Sequence, residues 1–595
     1  MFYYIKMTEY NIISETPYYT GVVVNINKLG FGIVKIENTE KTILVPKKDL
    51  NNCTVNDKVT VQLFKDSTTA GKILQVYKKE MGDNILVLVL HSYFVSTVLY
   101  YLVVDEYNNK YNILGGNITL KRGDVCLCDC LKFYKKIENI HENPLEILKY
   151  KYKDLIKFEE YKSTLTTQYI DGNDSERNDS ERIDYTNLYT FTIDPDDSKD
   201  YDDAISFEFL TNNNIRLGIH IADVTRILTT EYEEYAKQKC TSIYLNPEKV
   251  FHMLPEFIST NICSLIENEN RDTISVIIDY NSDAKVVNFD IVKTVIKSKK
   301  RFTYSEMDLL IKTNDDYKKM YNFILKIKQK YTNIPIDISI PTITFINNLP
   351  IFNINDASAD SHTLVEVCML EANKTVANYL HDRNINFIYR NHENNQIPII
   401  NSLGLLKSVP RAYYSPENIG HWGINLDIYC HMTSPIRRYN DIIIHKILKS
   451  VLNKHENPYS IIDLKNICND INTRTKTIEK FEILYNKYKF LNSCVYIIDN
   501  KIDIYFDAVI TLIYKHGITF EIHSTIIGNL HISELGKGKM LYMTDKGLAC
   551  NNAPAYNNGL SPTDIKFKIG DYIKVYPKNI KLSFNPDNSI VWGCL

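Results

Sequence analysis

Six aspartates fall within ten consecutive positions, 194 to 203, of a chain of 595 residues. The flanking residues 188–193 and 204–207 are largely apolar and β-rich, which predicts a strand on each side of the acidic segment. The carboxylates are therefore expected on a connection that the core holds at both ends. Carboxylates this close repel one another, and burying them without partners would cost several kcal/mol, so the fold must supply a compensating charge.

A divalent cation is the simplest source of that charge, because hard oxygen ligands in this number suit Mg²⁺ or Mn²⁺. Two such ions about 4 Å apart form the usual clamp for hydrolysis of a phosphodiester. A calcium loop of EF-hand type is a poor alternative, because the positions for its glycine and its last glutamate, counted from Asp194, hold Lys199 and Ile205. A solvated acidic turn is what most charge runs are, but the two flanking strands argue against it.

Composition limits the function classes only weakly. At this length several domains are expected. A net charge of −3, from 69 basic and 72 acidic residues, means that any nucleic-acid channel has to be local. The twelve cysteines come without a signal peptide or framework spacing, which predicts reduced thiols in a cytoplasmic protein. Residues 126–130 (CLCDC) alternate like a strand, with a zinc site as the alternative.

Residues 85–104 form an apolar run without Asp, Glu, Lys or Arg that is long enough to span a bilayer. The run is rich in β-branched and aromatic residues and is interrupted by His91 and Ser92, and Asp105 and Glu106 follow it where a basic flank would be expected. Two buried strands are therefore predicted, with a transmembrane helix as the alternative.

Short β-rich runs separated by turns predict small barrels near both ends of the chain. Glycines on both sides of Phe31 would let this ring face stacked bases, with an ordinary core aromatic as the alternative. The tandem repeat NDSERNDSER at residues 173–182 is polar low complexity, typical of a linker or surface loop. Three candidate barrels around one large domain favour a polymer substrate.

The motifs together resemble those of the ribonuclease II / ribonuclease R family. Besides TIDPDDSKDYDDA at residues 192–204, the family's order is followed by LGIHIADV at 217–224, TSIYL at 241–245, MLP at 253–255, ICSL at 262–265, Arg271, LVEVCMLEAN at 364–373 and HMTSPIRRY at 431–439. The resemblance covers nearly the whole chain. It implies an α+β multidomain fold with N-terminal cold-shock-type OB β-barrels, a central α/β RNB catalytic domain and a C-terminal S1-like OB barrel.

The implied domains have the following limits. A cold-shock-type OB domain is expected at 17–80, a second one at 81–140, a helical and linker segment at 141–183, the RNB catalytic domain at 184–500, and an S1-like OB RNA-binding domain at 503–595. No further nuclease domain is expected before the first barrel. The chain ends without the Lys-rich tail of many ribonuclease R members, so unwinding of structured RNA is not predicted.

The resemblance also implies roles for individual residues of the acidic segment. Asp194, Asp200 and Asp203 match metal ligands, while Asp202 matches the aspartate whose loss is most damaging to catalysis. Asp196 and Asp197 are acidic in many relatives but are not assigned to the metal. Arg437 matches an arginine at the scissile region, where a planar fork of donors suits charge on phosphoryl oxygens, with a salt bridge to a core acid as the alternative.

Further residues are expected to contact RNA. Tyr244 and Phe345 match an aromatic pair that sandwiches the 3′-terminal bases, and stacking tolerates any base sequence. Phe345 could instead be a core aromatic. Glu366 matches a helical glutamate, although Val367 stands where relatives often carry a second one. The remaining predicted RNA contacts are Arg438, Glu479 and Phe31.

The implied activity is that of a Mg²⁺-dependent (or Mn²⁺-dependent) 3′-to-5′ hydrolytic exoribonuclease that degrades single-stranded RNA to nucleoside 5′-monophosphates by a two-metal mechanism. A monomer without a membrane association is expected. The alternative is a catalytically inactive RNB-fold RNA-binding protein, but such relatives usually lose acids of the metal site, and this chain keeps all four. A membrane-attached RNA-binding protein is a second alternative, and it depends on residues 85–104.

Overall fold

A computed structural model gives the fold of the chain. The tandem repeat at 173–182 lies, except for Arg182, outside the described residues, as does Cys130 of the CLCDC run. The structure describes the chain apart from residues 1–17, 27–30, 37–38, 40, 51–57, 65–66, 68, 78–84, 96–97, 107–108, 116–118, 130–131, 159–181, 211–213, 246–248, 332–341, 354–358, 394–409, 515, 524–525, 536–540, 545–546, 551–564 and 595.

The chain forms two compact units. The first comprises Met1–Ile140 with Leu582–Phe584, and the second comprises His141–Lys581 with Asn585–Leu595. The finer domain limits expected from the sequence stay predictions.

The first unit contains two antiparallel five-stranded sheets, as the short β-rich runs predict. The first sheet has the order β3-β2-β1-β4-β5 and the second the order β10-β9-β6-β7-β8. Alternate residues such as Val23, Val34 and Val59 are fully buried, so each sheet covers its own core. The strands are β1 Tyr18–Ile26, β2 Gly32–Ile36, β3 Thr42–Val45, β4 Lys58–Leu63, β5 Gly71–Tyr77, β6 Ile85–Val95, β7 Val98–Asp105, β8 Lys110–Leu114, β9 Asp124–Asp129 and β10 Lys132–Asn139.

The apolar run at residues 85–104 forms the hairpin β6–β7 and not a helix. Val87, Leu88 and Val103 are fully buried in it, which confirms the prediction of two buried strands. Among the residues that the structure describes, no helix is long and apolar enough to cross a membrane. Cys126 and Cys128 lie buried in β9, in the strand predicted from their alternation.

A closed five-stranded barrel forms the centre of the second unit, in the order β11-β12-β13-β16-β17. The pairs are antiparallel except β11 with β17, which are parallel and close the barrel. Ile219 and Ile221 of β13 are fully buried and belong to a core shared with the surrounding helices. The barrel strands are β11 Ile183–Asp194, β12 Asp203–Phe209, β13 Ile215–Ala222, β16 Asn270–Tyr280 and β17 Val286–Thr303.

Helices and three two-stranded antiparallel sheets surround this barrel. These sheets are β14 Ile243–Leu245 with β15 Lys249–Phe251, β18 Thr342–Ile346 with β19 Leu349–Asn353, and β20 Tyr389–Asn391 with β21 Tyr413–Ser415. The helices are α1 Pro144–Tyr152, α2 Thr230–Lys239, α3 Tyr304–Thr313, α4 Asp315–Lys328, α5 Asp360–His381, α6 Tyr439–Leu452 and α7 Ile461–Asp499.

The long helix α7 has 39 residues and begins with a capping box formed by Ser460 and Asp463. It packs against β14, β19 and β21 of the two-stranded sheets. It also packs against the sheet formed by the last part of the chain, the C-terminal sheet. Toward its C-terminal end, Lys487 pairs with Asp587, and Phe490 stacks at 6.2 Å from Trp592.

The C-terminal sheet has the order β24-β23-β22-β28-β29, and a three-stranded sheet β25-β26-β27 accompanies it. Phe520 and Trp592 are buried in its core. The mixed fold, with β-rich ends and a central barrel wrapped by helices, is the predicted class. The elements are β22 Phe506–Tyr514, β23 Gly517–Ile522, β24 Ile526–His531, α8 Ile532–Leu535, β25 Leu541–Thr544, β26 Gly547–Cys550, β27 Ile565–Phe567, β28 Tyr572–Ile580 and β29 Ile590–Cys594.

Candidate active site

The aspartate segment connects two adjacent barrel strands, as its flanks predict. Asp194 is the last residue of β11 and lies opposite Thr303, and Asp203 is the first residue of β12 and lies opposite Ile221. The strand ends therefore hold two of the acids, and the connection of residues 195–202 carries the others to the same end of the barrel.

One buried serine clamps this connection. The hydroxyl of Ser264 donates to the carbonyl of Lys199 at 2.8 Å and accepts from the backbone N–H of Tyr201 at 3.0 Å. The N–H of Leu265 donates to the carbonyl of Tyr201 at 3.0 Å, and Arg271 Nε donates to the carbonyl of Ser264 at 2.9 Å. The loop from 199 to 201 is thus fixed on either side of Asp200. ICSL and Arg271 belong to the sequence resemblance, but the sequence assigns them no role.

The acids and most of the predicted site residues line one cavity of about 460 Å³. It brings together all four predicted acids with Tyr244, Glu366, Arg437 and Arg438. Its lining also includes residues to which the sequence analysis gave no role, namely Tyr304, Val365, Met369, Leu370, Asn373, Tyr429, His431, Thr433 and Ser434. Glu366, Met369 and Asn373 reach it together because spacings of three and four residues place them on one face of α5.

Asp202 and Arg437 are bound to each other at the wall of the cavity. Asp202 Oδ1 accepts from the backbone N–H of Ile436 at 2.8 Å, and its Oδ2 accepts from Arg437 Nε at 3.1 Å. The Asp202 side chain is 3% exposed and that of Arg437 is 45% exposed. The carboxylate therefore holds Nε of a guanidinium whose side chain remains partly exposed. From the sequence, this salt bridge to a buried acid is only the alternative role for Arg437.

Asp200 accepts from two hydroxyls. Tyr244 donates to its Oδ2 at 2.5 Å, and Ser198 donates to its Oδ1 at 3.1 Å. The sequence predicts a stacking role for the Tyr244 ring and gives no hint of this hydroxyl contact, since the two residues are 44 positions apart. Burial, reinforced by the charge of Asp200, raises the pKa of the Tyr244 phenol, so the hydroxyl remains a donor.

The remaining acids carry strongly perturbed carboxyl groups. Burial raises the pKa of Asp194 to about 7, that of Asp203 to about 7 and that of Asp202 to about 8. The charge of Asp194 adds to the shift at Asp203, while Arg437 opposes it. Asp194 Oδ2 is buried and accepts no hydrogen bond from any described residue. An acceptor without a donor among crowded oxygens is what a cation site requires.

The donor set therefore fits a hard divalent cation by its chemistry, since four carboxylates line one cavity and Asp194 Oδ2 accepts no hydrogen bond from a described residue. As the side chains stand, no three His, Cys, Asp or Glu residues within the described ranges form a group that could hold a metal ion. Tyr244 donates to Asp200 and Arg437 donates to Asp202, so the chain itself satisfies two of the four carboxylates.

The other predicted RNA contacts are dispersed. Glu366 is exposed on α5 at the cavity. Arg438 also lines the cavity, but its guanidinium donates to the buried carboxylate of Asp441 at 2.7 Å. Phe345 lies in β18, outside this cavity, with Lys489 Nζ at 5.8 Å from its ring centroid. Phe352, which lies opposite Ile343 on the partner strand β19, stacks on His523 just after β23 at 4.5 Å.

Glu479 and Phe31 are also outside the cavity of the acids. Glu479 lies on α7, pairs with Arg411 and lines a second cavity of about 720 Å³. Phe31 is half-buried just before β2 in the first unit. The RNA contacts predicted for these residues stay predictions.

Tyr304 is a site residue that no sequence pattern marks. It follows the last residue of β17, lines the cavity and stacks on His362 with ring centroids 3.9 Å apart and an interplanar angle of 8°. Burial, together with the charges of Asp203 and Asp194, raises the pKa of its phenol to about 12. The hydroxyl consequently stays protonated near neutral pH.

The barrel of the second unit and the helices around it match a known domain family. The RNB domain family model matches residues 182–404 and 393–454. Ribonuclease R of Chlamydia pneumoniae is 32% identical, over 47% of this chain and 49% of that protein, so the match spans about half the length of that relative. Ribonuclease R of Aquifex aeolicus (strain VF5) is 26% identical over 92% of this chain and 85% of that protein.

Two solved structures share the fold. Mycoplasma genitalium RNase R in complex with ribose methylated single-stranded RNA superposes with a TM-score of 0.67 at 20% identity, covering 97% of this chain and 100% of that one. Yeast Ssd1, described as a pseudonuclease, superposes with a TM-score of 0.56 at 14% identity, covering 87% of this chain and 79% of that one.

Proposed function

We propose, since the chain carries an RNB domain and belongs to the ribonuclease II / ribonuclease R family, that it is a hydrolytic exoribonuclease. The substrate would be single-stranded RNA, degraded from its 3′ end to nucleoside 5′-monophosphates. The observation that carries the proposal is the cavity in which four buried or half-buried aspartates meet the partly exposed guanidinium of Arg437.

In this proposal Asp194, Asp200 and Asp203 would hold Mg²⁺ or Mn²⁺. When bound, such ions supply an activated water and Lewis-acid stabilisation of the phosphoryl oxygens. Asp202 tethers Arg437 through Nε, so that the outer N–H groups of the guanidinium can donate to the phosphoryl oxygens of the substrate. Tyr244 donates to Asp200 and thereby keeps that carboxylate oriented at the cavity.

A single strand with unstacked bases suits this cavity. The rings of Tyr244 and Tyr304 both line it, and stacking on aromatic rings contributes about 1–3 kcal/mol per base without sequence preference. The solved complex of Mycoplasma genitalium RNase R with single-stranded RNA supports the substrate class, because that protein shares the fold. Attack at the 3′ end rests on the family resemblance.

A catalytically inactive RNA-binding protein is the second candidate. The likeness to the pseudonuclease Ssd1 favours it, as do the internal donors that already occupy Asp200 and Asp202. The presence of all four acids in one cavity favours the enzyme.

One assay separates the candidates. Single-stranded RNA labelled at either the 5′ or the 3′ end is incubated with the purified chain, with Mg²⁺ or with EDTA, beside Asp202→Asn. Asp196→Asn is the matched control, because Asp196 is an exposed acid of the same connection. We expect release of monophosphates from the 3′ end that EDTA abolishes, and a loss in Asp202→Asn of at least about 100-fold, with Asp196→Asn unchanged.

Three results would contradict the proposal. Phosphate-dependent release of nucleoside diphosphates would replace hydrolysis by phosphorolysis. Equal activity in Asp202→Asn and wild type would move the chemistry away from this cavity. RNA binding without cleavage by the wild type would favour the inactive RNA-binding protein.

A further inference from the structure

Two neighbouring arginines of the segment at residues 434–439 pair with different acids. Arg437 reaches Asp202 at the cavity with 45% of its side chain exposed. Arg438 turns toward α6, where its side chain is 24% exposed and its partner, the Asp441 carboxylate, is fully buried. The sequence treats both as contacts of the substrate, whereas the structure commits the second one to an internal ion pair.

Asp441 collects three donors on one oxygen. Its Oδ2 accepts from the backbone N–H of Ser434 at 2.8 Å, from Arg438 Nε at 3.1 Å and from Arg438 Nη2 at 2.7 Å. Asp441 lies in the first turn of α6, where the helix dipole favours a negative charge. A short carboxylate on a rigid helix thus holds both ends of the loop from Ser434 to Arg438.

Ser434 is the link from Asp441 to Arg437. Its hydroxyl accepts from Arg437 Nη2 at 3.0 Å, and its carbonyl accepts from the backbone N–H groups of Arg437 at 3.3 Å and Arg438 at 2.9 Å. The guanidinium of Arg437 therefore has two fixed points, Asp202 at Nε and Ser434 at Nη2. Asp441 sets the second of them by holding the Ser434 backbone.

Other polar residues fix the preceding part of this loop. Asn373 Oδ1 accepts from the N–H of Met432 at 2.7 Å, and the ring of His445 lies at 2.7 Å from the Met432 carbonyl. Asn440 Nδ2 donates to the carbonyl of His431 at 3.0 Å. These contacts hold residues 431 and 432, which leaves Asp441 as the residue that reaches Ser434.

We propose that Asp441 is the positioning residue of Arg437, acting through Ser434 and with Arg438 as its counterion. The assignment rests on the proposed function, because it gives Arg437 a role in turnover. Arg437 Nη groups swing away from the scissile phosphate when Ser434 is released, although Asp202 still holds Nε. Turnover then falls. The affinity for RNA is retained, because it comes from stacking and from the other residues of the cavity.

The test is a kinetic double-mutant cycle on single-stranded RNA. Asp441→Asn loses the charge that holds Arg438, and Ser434→Ala removes only the hydroxyl contact to Arg437, so it remains informative should Asp441→Asn fail to fold. We expect each to lower kcat roughly 10- to 100-fold with KM within about 3-fold of wild type. In an Arg437→Ala background neither should lower kcat further by more than about 2-fold. Asp427→Asn, the same change at an exposed aspartate of the neighbouring loop, should leave both constants unchanged.

Losses that multiply in the Arg437→Ala background, or a raised KM with unchanged kcat, would overturn the assignment. A wild type that cleaves no RNA would refute the proposed function instead. In that case the coupling between Asp441 and Arg437 is tested by urea unfolding, which does not depend on catalysis. The four proteins compared are wild type, Asp441→Asn, Arg437→Ala and the variant that carries both substitutions. Non-additive midpoint shifts for Asp441→Asn and Arg437→Ala support the coupling, and additive shifts overturn it.

Discussion

Raising the pH in the absence of divalent cations should destabilise the second unit through its crowded acids. The pKa values of Asp194, Asp202 and Asp203 are raised from 3.8 to about 7, 8 and 7. The folded chain therefore keeps protons that the unfolded chain has released. The stabilisation is fully present below pH 3.8 and is lost as the pH rises through 7 to 8.

The titration of Asp194 alone changes the free energy of unfolding by a measurable amount. One pKa unit corresponds to about 1.4 kcal/mol, so a carboxyl with a folded pKa of about 7 loses about 2 kcal/mol of stability between roughly pH 5.5 and pH 8. For a unit of about 450 residues, about 2 kcal/mol corresponds to a fall in Tm of roughly 2 °C. Asp202 and Asp203 lose stability in the same direction as the pH rises, because their pKa values are also raised.

Thermal unfolding from pH 5.5 to 8 in EDTA measures this effect. Asp194→Asn should flatten the fall in Tm, whereas Asp196→Asn, at an exposed position, should leave it unchanged. Added Mg²⁺ should raise Tm more at pH 8 than at pH 5.5, because protons compete with the cation for the same oxygens. Parallel Tm profiles for wild type and Asp194→Asn, or a Tm that Mg²⁺ does not move at pH 8, would refute the reasoning.

Two further substitutions test single contacts. Tyr244→Ala should weaken binding of single-stranded RNA by roughly 5- to 150-fold in fluorescence anisotropy, because about 1–3 kcal/mol of stacking is lost. Tyr244→Phe should bind RNA normally but lose turnover, because Asp200 is released from the hydroxyl. Equal binding losses in the two variants would exclude a stacking role for the ring. Ser264→Ala should lower kcat about 10-fold and the free energy of unfolding by about 1–2 kcal/mol, because two hydrogen bonds to the loop of residues 199–201 are lost. The same substitution at the exposed Ser282 is the control. Unchanged kcat in Ser264→Ala would show that the clamp is dispensable.

Local patterns were sufficient to predict the strands on both sides of the acids and the β-rich character of both chain ends. The convergence of Asp194 and Asp203 follows directly, because they end and begin adjacent strands. The hairpin at residues 85–104 could also be predicted, since its β-branched residues and polar interruptions are local properties.

Contacts across long sequence separations could not be predicted in the same way. Asp202 and Arg437 are 235 positions apart, and Ser264 lies 63 positions from Tyr201. Phe345 illustrates the limit for a single residue. Its β-rich surroundings predict a strand, which forms, but the packing of that hairpin against α7 and the C-terminal sheet decides that the ring lies away from the acids.

The long helix α7 also constrains how the length of this chain can change. At about 1.5 Å per residue its 39 residues measure roughly 58 Å, with Glu482 near the N–H of Tyr244 and Lys487 and Phe490 at the C-terminal sheet. Inserting one residue between Glu482 and Lys487 would turn the distal contacts by about 100°. Substitutions can therefore accumulate on the exposed face of α7 over evolution, whereas single insertions or deletions in it should be eliminated.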